Sequence, residues 1–178
     1  MIKSVIVYDR RRIEGMLKGT WDFPYPNNKW GVISIYTRPN NAFFTLDAID
    51  AFKSMGMIDY LSLQFWDVDG KDRQAILAQY PHAVFFDKTH AIKIIDFVQS
   101  LNSKDEDVGL IVHCDAGISR SGAVGSFVVD YLGLNQKEFL VANPNILPNA
   151  FILSVLRRTA GLIPSFASVG GENNKEIK

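Results

Sequence analysis

One cysteine and one arginine, Cys114 and Arg120, form the most reactive pair in this sequence. Cys114 follows a short apolar run, residues 110–112, and five residues separate it from Arg120. An apolar segment at helical spacing then begins at Ser121 and ends at Gly133. This pattern predicts a strand, a tight loop and a helix, an arrangement that directs backbone N–H groups and the positive end of the helix dipole at one anion.

Such a loop suits a thiolate that attacks a phosphoryl group. Backbone amides and a guanidinium stabilise an anionic sulfur, and the planar guanidinium of Arg120 matches two phosphate oxygens at once. Ser121 is placed to donate a hydrogen bond to the sulfur when it leaves. The alternative is that Cys114 is only a buried apolar residue, which leaves the positions of the arginine and the glycine unexplained.

The nine residues 113–121, HCDAGISRS, resemble the signature loop of the cysteine-dependent protein tyrosine phosphatase superfamily, His-Cys-x5-Arg-Ser/Thr. The Ala-Gly-x-Ser-Arg-Ser ending is most similar to the dual-specificity phosphatase branch. The resemblance implies that Cys114 is the nucleophile, that Arg120 and Ser121 assist it, and that His113 supports the loop by hydrogen bonding. The residues that it implies for phosphate binding are Asp115, Ala116, Gly117, Ile118, Ser119 and Arg120.

A general acid is expected after the strand predicted at residues 60–66. Cleavage of a phosphate ester by a thiolate needs an acid to protonate the leaving oxygen and then a base to activate water. Asp67 and Asp69 follow this strand, and a carboxylate at the carboxyl end of a strand can overhang a neighbouring ligand-binding loop. Similarity to the dual-specificity phosphatases assigns the acid to Asp67. Asp69 is the rival, and closure of a turn is the alternative role for both.

Asn149 precedes the last predicted helix, residues 150–160, and is a suitable N-cap. The run Pro148-Asn149-x-Phe151 resembles the segment that opens the last helix of dual-specificity phosphatases, although it is one residue shorter. The resemblance implies that Asn149 also supports the phosphate loop. Capping alone is the interpretation that we favour from the residues.

Strand-like and helix-like segments alternate along the chain, which predicts an α/β fold. We expect a single domain with a central, largely parallel sheet of four to five strands flanked by helices, as in the phosphatases. The strands are predicted within residues 5–8, 31–36, 60–66 and 110–112, and the clearest amphipathic helix at residues 87–101. Residues 1–166 are expected to form this domain, and residues 167–178 a disordered tail.

The charge balance and the cysteine count exclude several classes of protein. Nineteen basic and nineteen acidic residues cancel, so no overall field attracts nucleic acid or a membrane surface. The basic cluster at residues 10–12 is interpreted as solvated rather than phosphate-facing. A single cysteine excludes an intrachain disulfide and favours a reducing, cytoplasmic location. We find no apolar stretch with the length of a signal peptide or a membrane span, and we expect a monomer.

The predicted activity is hydrolysis of a phosphorylated protein, with phosphotyrosine preferred and phosphoserine or phosphothreonine as further substrates. It would proceed through a cysteinyl-phosphate intermediate without a metal or an organic cofactor. His82 and His90 lack the spacing of a zinc site. The acid at Asp115 and the absence of lysine from the loop disfavour a highly anionic inositol phosphate or an RNA end. The alternatives are a catalytically weak module that binds phosphorylated partners, and a phosphatase of non-protein phosphate esters.

Overall fold

The computed structural model of this chain describes residues 1–22, 24, 29–39, 46–68 and 72–162. The strands in these ranges are β1 (Ile2–Tyr8), β2 (Lys29–Tyr36), β3 (Met57–Gln64) and β4 (Val108–His113). The helices are α1 (Arg10–Leu17), α2 (Leu46–Ser54), α3 (Arg73–Gln79), α4 (Lys88–Asn102), α5 (Arg120–Leu132), α6 (Gln136–Ala142) and α7 (Ala150–Thr159). The predicted tail, residues 167–178, and Asp69 lie outside the described residues.

The four strands form one sheet in the order β1-β4-β2-β3, and every neighbouring pair is parallel. This confirms the predicted α/β fold with a parallel central sheet. All six residues of β4 are buried, because a strand in the middle of a sheet with helices on both faces has no side open to water. The parallel arrangement also brings the carboxyl ends of the strands to one edge, where Tyr8, Ser34 and His113 are in register.

Helices cover both faces of the sheet. On one face, α1 and α2 contribute Ile13, Met16 and Phe52 to a cluster with Trp30 and Ile111. The other face carries the larger cluster, in which α4, α5 and α7 pack on the strands through residues such as Ile94, Val98, Val124, Phe127, Ile152 and Leu156. Within the ranges given above, no helix has both the length and the apolar character that crossing a membrane requires.

The helix α1 was not predicted, and it contains the basic cluster at residues 10–12. Three successive arginines hide the apolar pattern of this short segment, yet Ile13 and Met16 are buried one turn apart. Asp9 caps the helix by accepting a hydrogen bond from the backbone N–H of Arg12 at 2.7 Å. The interpretation of the cluster as solvated holds for the exposed Arg11, whereas Arg12 is half-buried.

Candidate active site

The chain leaves the centre of the sheet at the end of β4 and forms a tight loop, residues 114–119, before α5 begins at Arg120. Gly117 has a φ of +68°, which favours glycine. A Cβ at this position would lie 2.5 Å from the backbone nitrogen of Asp9, so the loop packs too closely on the turn after β1 to accept a side chain. The strand, loop and helix expected around Cys114 are all present.

Cys114, the first residue of this loop, is 2% exposed. The backbone N–H of Gly117 donates to Sγ at 3.3 Å. The hydroxyl of Ser121 lies 3.1 Å from the same sulfur. The N–H of Gly117 stabilises negative charge on sulfur, and the hydroxyl of Ser121 does the same whenever it is the donor to a thiolate. The structure therefore brings Ser121 to the position that the sequence predicted.

The guanidinium of Arg120 is buried and bridges three elements at this edge. Its Nη1 donates to the hydroxyl of Thr37 at 2.9 Å and to the carbonyl of Phe65 at 3.0 Å. Its Nη2 donates to Oδ2 of Asp115 at 2.8 Å, and the same carboxylate oxygen accepts a hydrogen bond from Thr37 at 3.2 Å. The side chain of Asp115, predicted through its place in the loop as a phosphate-binding residue, is thus paired with the arginine.

Thr37 was missed by the sequence analysis. It directly follows β2, and the residues that follow neighbouring parallel strands meet at one edge of a sheet. The sequence analysis used this property of parallel strands to select Asp67 after β3. The same reasoning applied to the end of β2 would have identified Thr37.

The Nε of Arg120 is buried and has no hydrogen-bond partner among the described residues. Oδ2 of Asp67 lies 4.0 Å from it, beyond hydrogen-bond distance. A buried donor without a partner costs about 1–3 kcal/mol, and an oxyanion in the loop would satisfy it. The N-terminus of α5 would also favour an oxyanion there. Ser119 precedes the helix and makes no side-chain capping bond to it.

Asp67 lies against the loop, as predicted. Its Oδ1 accepts hydrogen bonds from the hydroxyl of Ser119 at 2.8 Å and from Nδ2 of Asn149 at 2.9 Å. Oδ2 is the oxygen that faces Arg120. An isolated parallel bridge between Trp66 and Phe85 fixes the segment just before it. The carboxyl group is therefore held beside the loop by two donors from separate parts of the chain.

Asn149 caps α7, but capping is only one of its contacts. Its Oδ1 accepts from the backbone N–H of Ile152 at 3.0 Å, while Nδ2 binds Asp67. Its own backbone N–H donates to the carbonyl of Ser119 at 3.2 Å. The interpretation of capping alone is too narrow, because one residue joins the last helix, the loop and the carboxylate.

His113, the last residue of β4, is 2% exposed. Burial lowers its pKa from 6.5 to about 3, and the nearby charge of Arg10 acts in the same direction. The imidazole is therefore neutral at physiological pH. The ring is thus a buried neutral group directly before Cys114, and its support of the loop by hydrogen bonding stays a prediction.

The low pKa of His113 predicts a loss of stability in acid. The unfolded chain takes up a proton at pH 6.5 and the folded chain only near pH 3, so the contribution is complete above pH 6.5 and declines below it. The expected decline is about 1.4 kcal/mol of unfolding free energy per pH unit. Urea unfolding at about pH 7.5 and about pH 5 measures this slope for the wild type and for His113→Gln. The two proteins would have equal slopes if His113 were not the group responsible.

Among the described residues, no group of three or more histidine, cysteine, aspartate or glutamate side chains is arranged to hold a metal ion. The predicted site residues that the structure does bring together are Cys114, Arg120, Ser121, Asp67, Ser119 and Asn149. Ala116 and Ile118 lie exposed on the loop.

The chain is similar to several solved structures. PTPMT1, in complex with PI(5)P, is 18% identical with a TM-score of 0.49, over 89% of this chain and 91% of that one. Tk-PTP in its active form is 14% identical with a TM-score of 0.47, over 91% and 92%. Human DUSP28 is 17% identical with a TM-score of 0.43, over 89% and 92%. These neighbours have cysteine-based tyrosine phosphatase or dual-specificity phosphatase-like folds. No protein-family model and no curated protein matches the chain.

Proposed function

We propose that this protein is a phosphomonoesterase that hydrolyses phosphotyrosine in proteins through a cysteinyl-phosphate intermediate. The observation that carries the proposal is the relation between Cys114 and Arg120. A buried residue whose sulfur accepts an N–H bond at 3.3 Å begins the loop, and a buried guanidinium with an unused Nε donor follows the loop at the start of α5. A phosphoryl group above the sulfur would satisfy that donor and would present phosphorus to the thiolate.

In the first step, the thiolate of Cys114 attacks phosphorus, and the bond from phosphorus to the ester oxygen breaks. Asp67, in its protonated form, gives its proton to the departing oxygen. The backbone amides of the loop and Arg120 stabilise the charge on the phosphoryl oxygens in the transition state. A phosphate bound through Nε and Nη2 would share Nη2 with the carboxylate of Asp115, which accepts from that nitrogen in the free protein, because Nη2 carries two N–H groups.

In the second step, water attacks the phosphorus of the cysteinyl phosphate while Asp67, now ionised, accepts a proton from it. The bond between phosphorus and sulfur breaks, and the sulfur leaves as a thiolate. The hydroxyl of Ser121 is 3.1 Å from this sulfur, so it can donate a hydrogen bond as negative charge returns. Inorganic phosphate then leaves the loop.

The depth of the sulfur favours phosphotyrosine as the substrate. Cys114 is 2% exposed, whereas Ile118 on the loop is 40% exposed, so the phosphate must pass the loop surface to reach the nucleophile. A phosphorylated tyrosine side chain is longer than a phosphorylated serine or threonine side chain. We infer a preference for phosphotyrosine, with the shorter residues as slower substrates. The proposed cellular location is the cytoplasm, because the chain has a single cysteine.

The test compares three substrates with purified protein in reductant and EDTA. p-Nitrophenyl phosphate tests for a phosphomonoesterase, and two peptides that differ only in phosphotyrosine or phosphoserine test the preference. We expect hydrolysis of all three and a higher kcat/KM for the phosphotyrosyl peptide. Binding of the phosphotyrosyl peptide in calorimetry without any turnover would instead identify a module that only binds phosphorylated partners. Hydrolysis of p-nitrophenyl phosphate with neither peptide cleaved would favour a non-protein ester.

A further inference from the structure

A cavity of about 800 Å³ lies beside the phosphate loop. Its lining includes Arg11, Arg12, Trp21, Gly117, Ile118 and Asn145. We refer to it as the arginine cavity. It adjoins the loop through Ala116, Gly117 and Ile118, while Cys114, Arg120 and Asp67 do not belong to its described lining. It is therefore a neighbour of the candidate active site and not the same pocket.

The charge in the arginine cavity favours an anion. Its charged lining residues are Arg11, Arg12 and Asp9, which leaves one net positive charge. The carboxylate of Asp9 already accepts the backbone N–H of Arg12. The third arginine of the cluster, Arg10, has its Nε bound to Glu14 at 2.8 Å and does not line the cavity.

Arg12 is held in place before any ligand arrives. The centre of its guanidinium lies 3.9 Å from the ring of Trp21 and 5.1 Å from the ring of Tyr8. Stacking of this kind fixes a side chain that is otherwise flexible, so less conformational entropy is lost when an anion binds. Arg11, by contrast, is exposed and adds a charge at the solvent side.

The loop connects this cavity directly to the nucleophile. The backbone nitrogen of Gly117 is 3.3 Å from Cys114 Sγ, and the same residue contacts the backbone of Asp9 so closely that a Cβ would lie at 2.5 Å. The two arginines follow Asp9 within three residues. An extended peptide covers about 3.4 Å per residue, so a group three positions from a phosphorylated residue in the loop lies up to about 10 Å from it.

We propose that the arginine cavity is a second anion subsite, which binds an acidic side chain close to the phosphotyrosine of a peptide substrate. The inference rests on the proposed function and adds a substrate preference to it. It also supplies positive charge beside a loop whose own side chains include Asp115 and no lysine.

The test uses two phosphotyrosyl peptides that differ only in glutamate or glutamine at the three positions on each side of the phosphotyrosine. The measured quantity is the ratio of kcat/KM for the glutamate peptide to that for the glutamine peptide. We expect a ratio of about five in the wild type, decreasing towards one in Arg11→Gln and in the Arg11→Gln, Arg12→Gln double variant. Raising the ionic strength from about 0.05 M to about 0.5 M should lower the wild-type ratio as well.

Arg158→Gln is the matched control, because Arg158 is an exposed arginine on α7 and its loss removes the same charge elsewhere. This variant should keep the wild-type ratio. A wild-type ratio of one, or a ratio that both arginine variants retain, would overturn the proposal. If the wild type does not hydrolyse p-nitrophenyl phosphate, the proposed function fails by itself. The ratio of the two dissociation constants, measured by calorimetry, then tests the subsite without turnover.

Discussion

Replacing Cys114 by serine is expected to lower kcat for p-nitrophenyl phosphate by about four orders of magnitude or more. A serine hydroxyl has nearly the same shape, but it is not ionised at neutral pH and is a much weaker nucleophile. The contacts from Gly117 and Ser121 stabilise charge on sulfur, and a neutral hydroxyl gains little from them. Initial rates and circular dichroism of the two proteins measure the loss and show whether the fold is retained.

The wild type should also carry one phosphoryl group on Cys114 when turnover is quenched with acid, which mass spectrometry of the intact protein detects. Ser126→Ala serves as the control for a small polar change on the same helix, since Ser126 lies on α5 away from the sulfur contacts. It should retain wild-type turnover. Undiminished hydrolysis by Cys114→Ser would show that the sulfur is not the nucleophile, and the proposed mechanism would have to be abandoned.

Replacing Asp67 by asparagine is expected to lower kcat by about 10²- to 10⁴-fold for a phosphotyrosyl peptide. The loss should be smaller for p-nitrophenyl phosphate, because its leaving group departs readily without a proton. The asparagine keeps an oxygen to accept the bonds from Ser119 and Asn149, so the position of the side chain is preserved while its proton is lost. Steady-state kinetics on both substrates give the comparison.

The pH profile separates this role from a structural one. Attack requires that the thiol of Cys114 is ionised, and departure of the ester oxygen requires that the carboxyl of Asp67 is protonated. A plot of kcat/KM against pH should therefore be bell-shaped for the wild type, with its optimum on the acid side of neutrality. In Asp67→Asn the decline on the alkaline side should flatten. Asp59→Asn, an exposed aspartate on β3, is the charge-matched control and should keep the bell. If Asp69→Asn reproduces the loss and Asp67→Asn does not, the acid has been assigned to the wrong residue.

Much of the local structure at the site follows from the sequence alone. Apolar patterning and glycine placement over a few residues determine the strand before Cys114, the loop and α5. The helix ends at Gly133, which adopts a φ of +65°. The position of Asp67 after β3 follows from the same kind of reasoning. These features were predictable because short-range preferences and the constraints of a tight loop specify them.

The contacts between distant parts of the chain could not be predicted in the same way. Thr37 and Arg120 are 83 positions apart, and Asp67 and Asn149 are 82 apart. The first pair depends on which strands are neighbours, and the second also on where the start of α7 packs against the loop. Apolar patterning does not specify the strand order β1-β4-β2-β3. The arginine cavity has the same origin, because β1 lies beside β4 and so places the start of α1 against Gly117. Local patterns thus determine the reactive loop, whereas the strand order determines which side chains surround it.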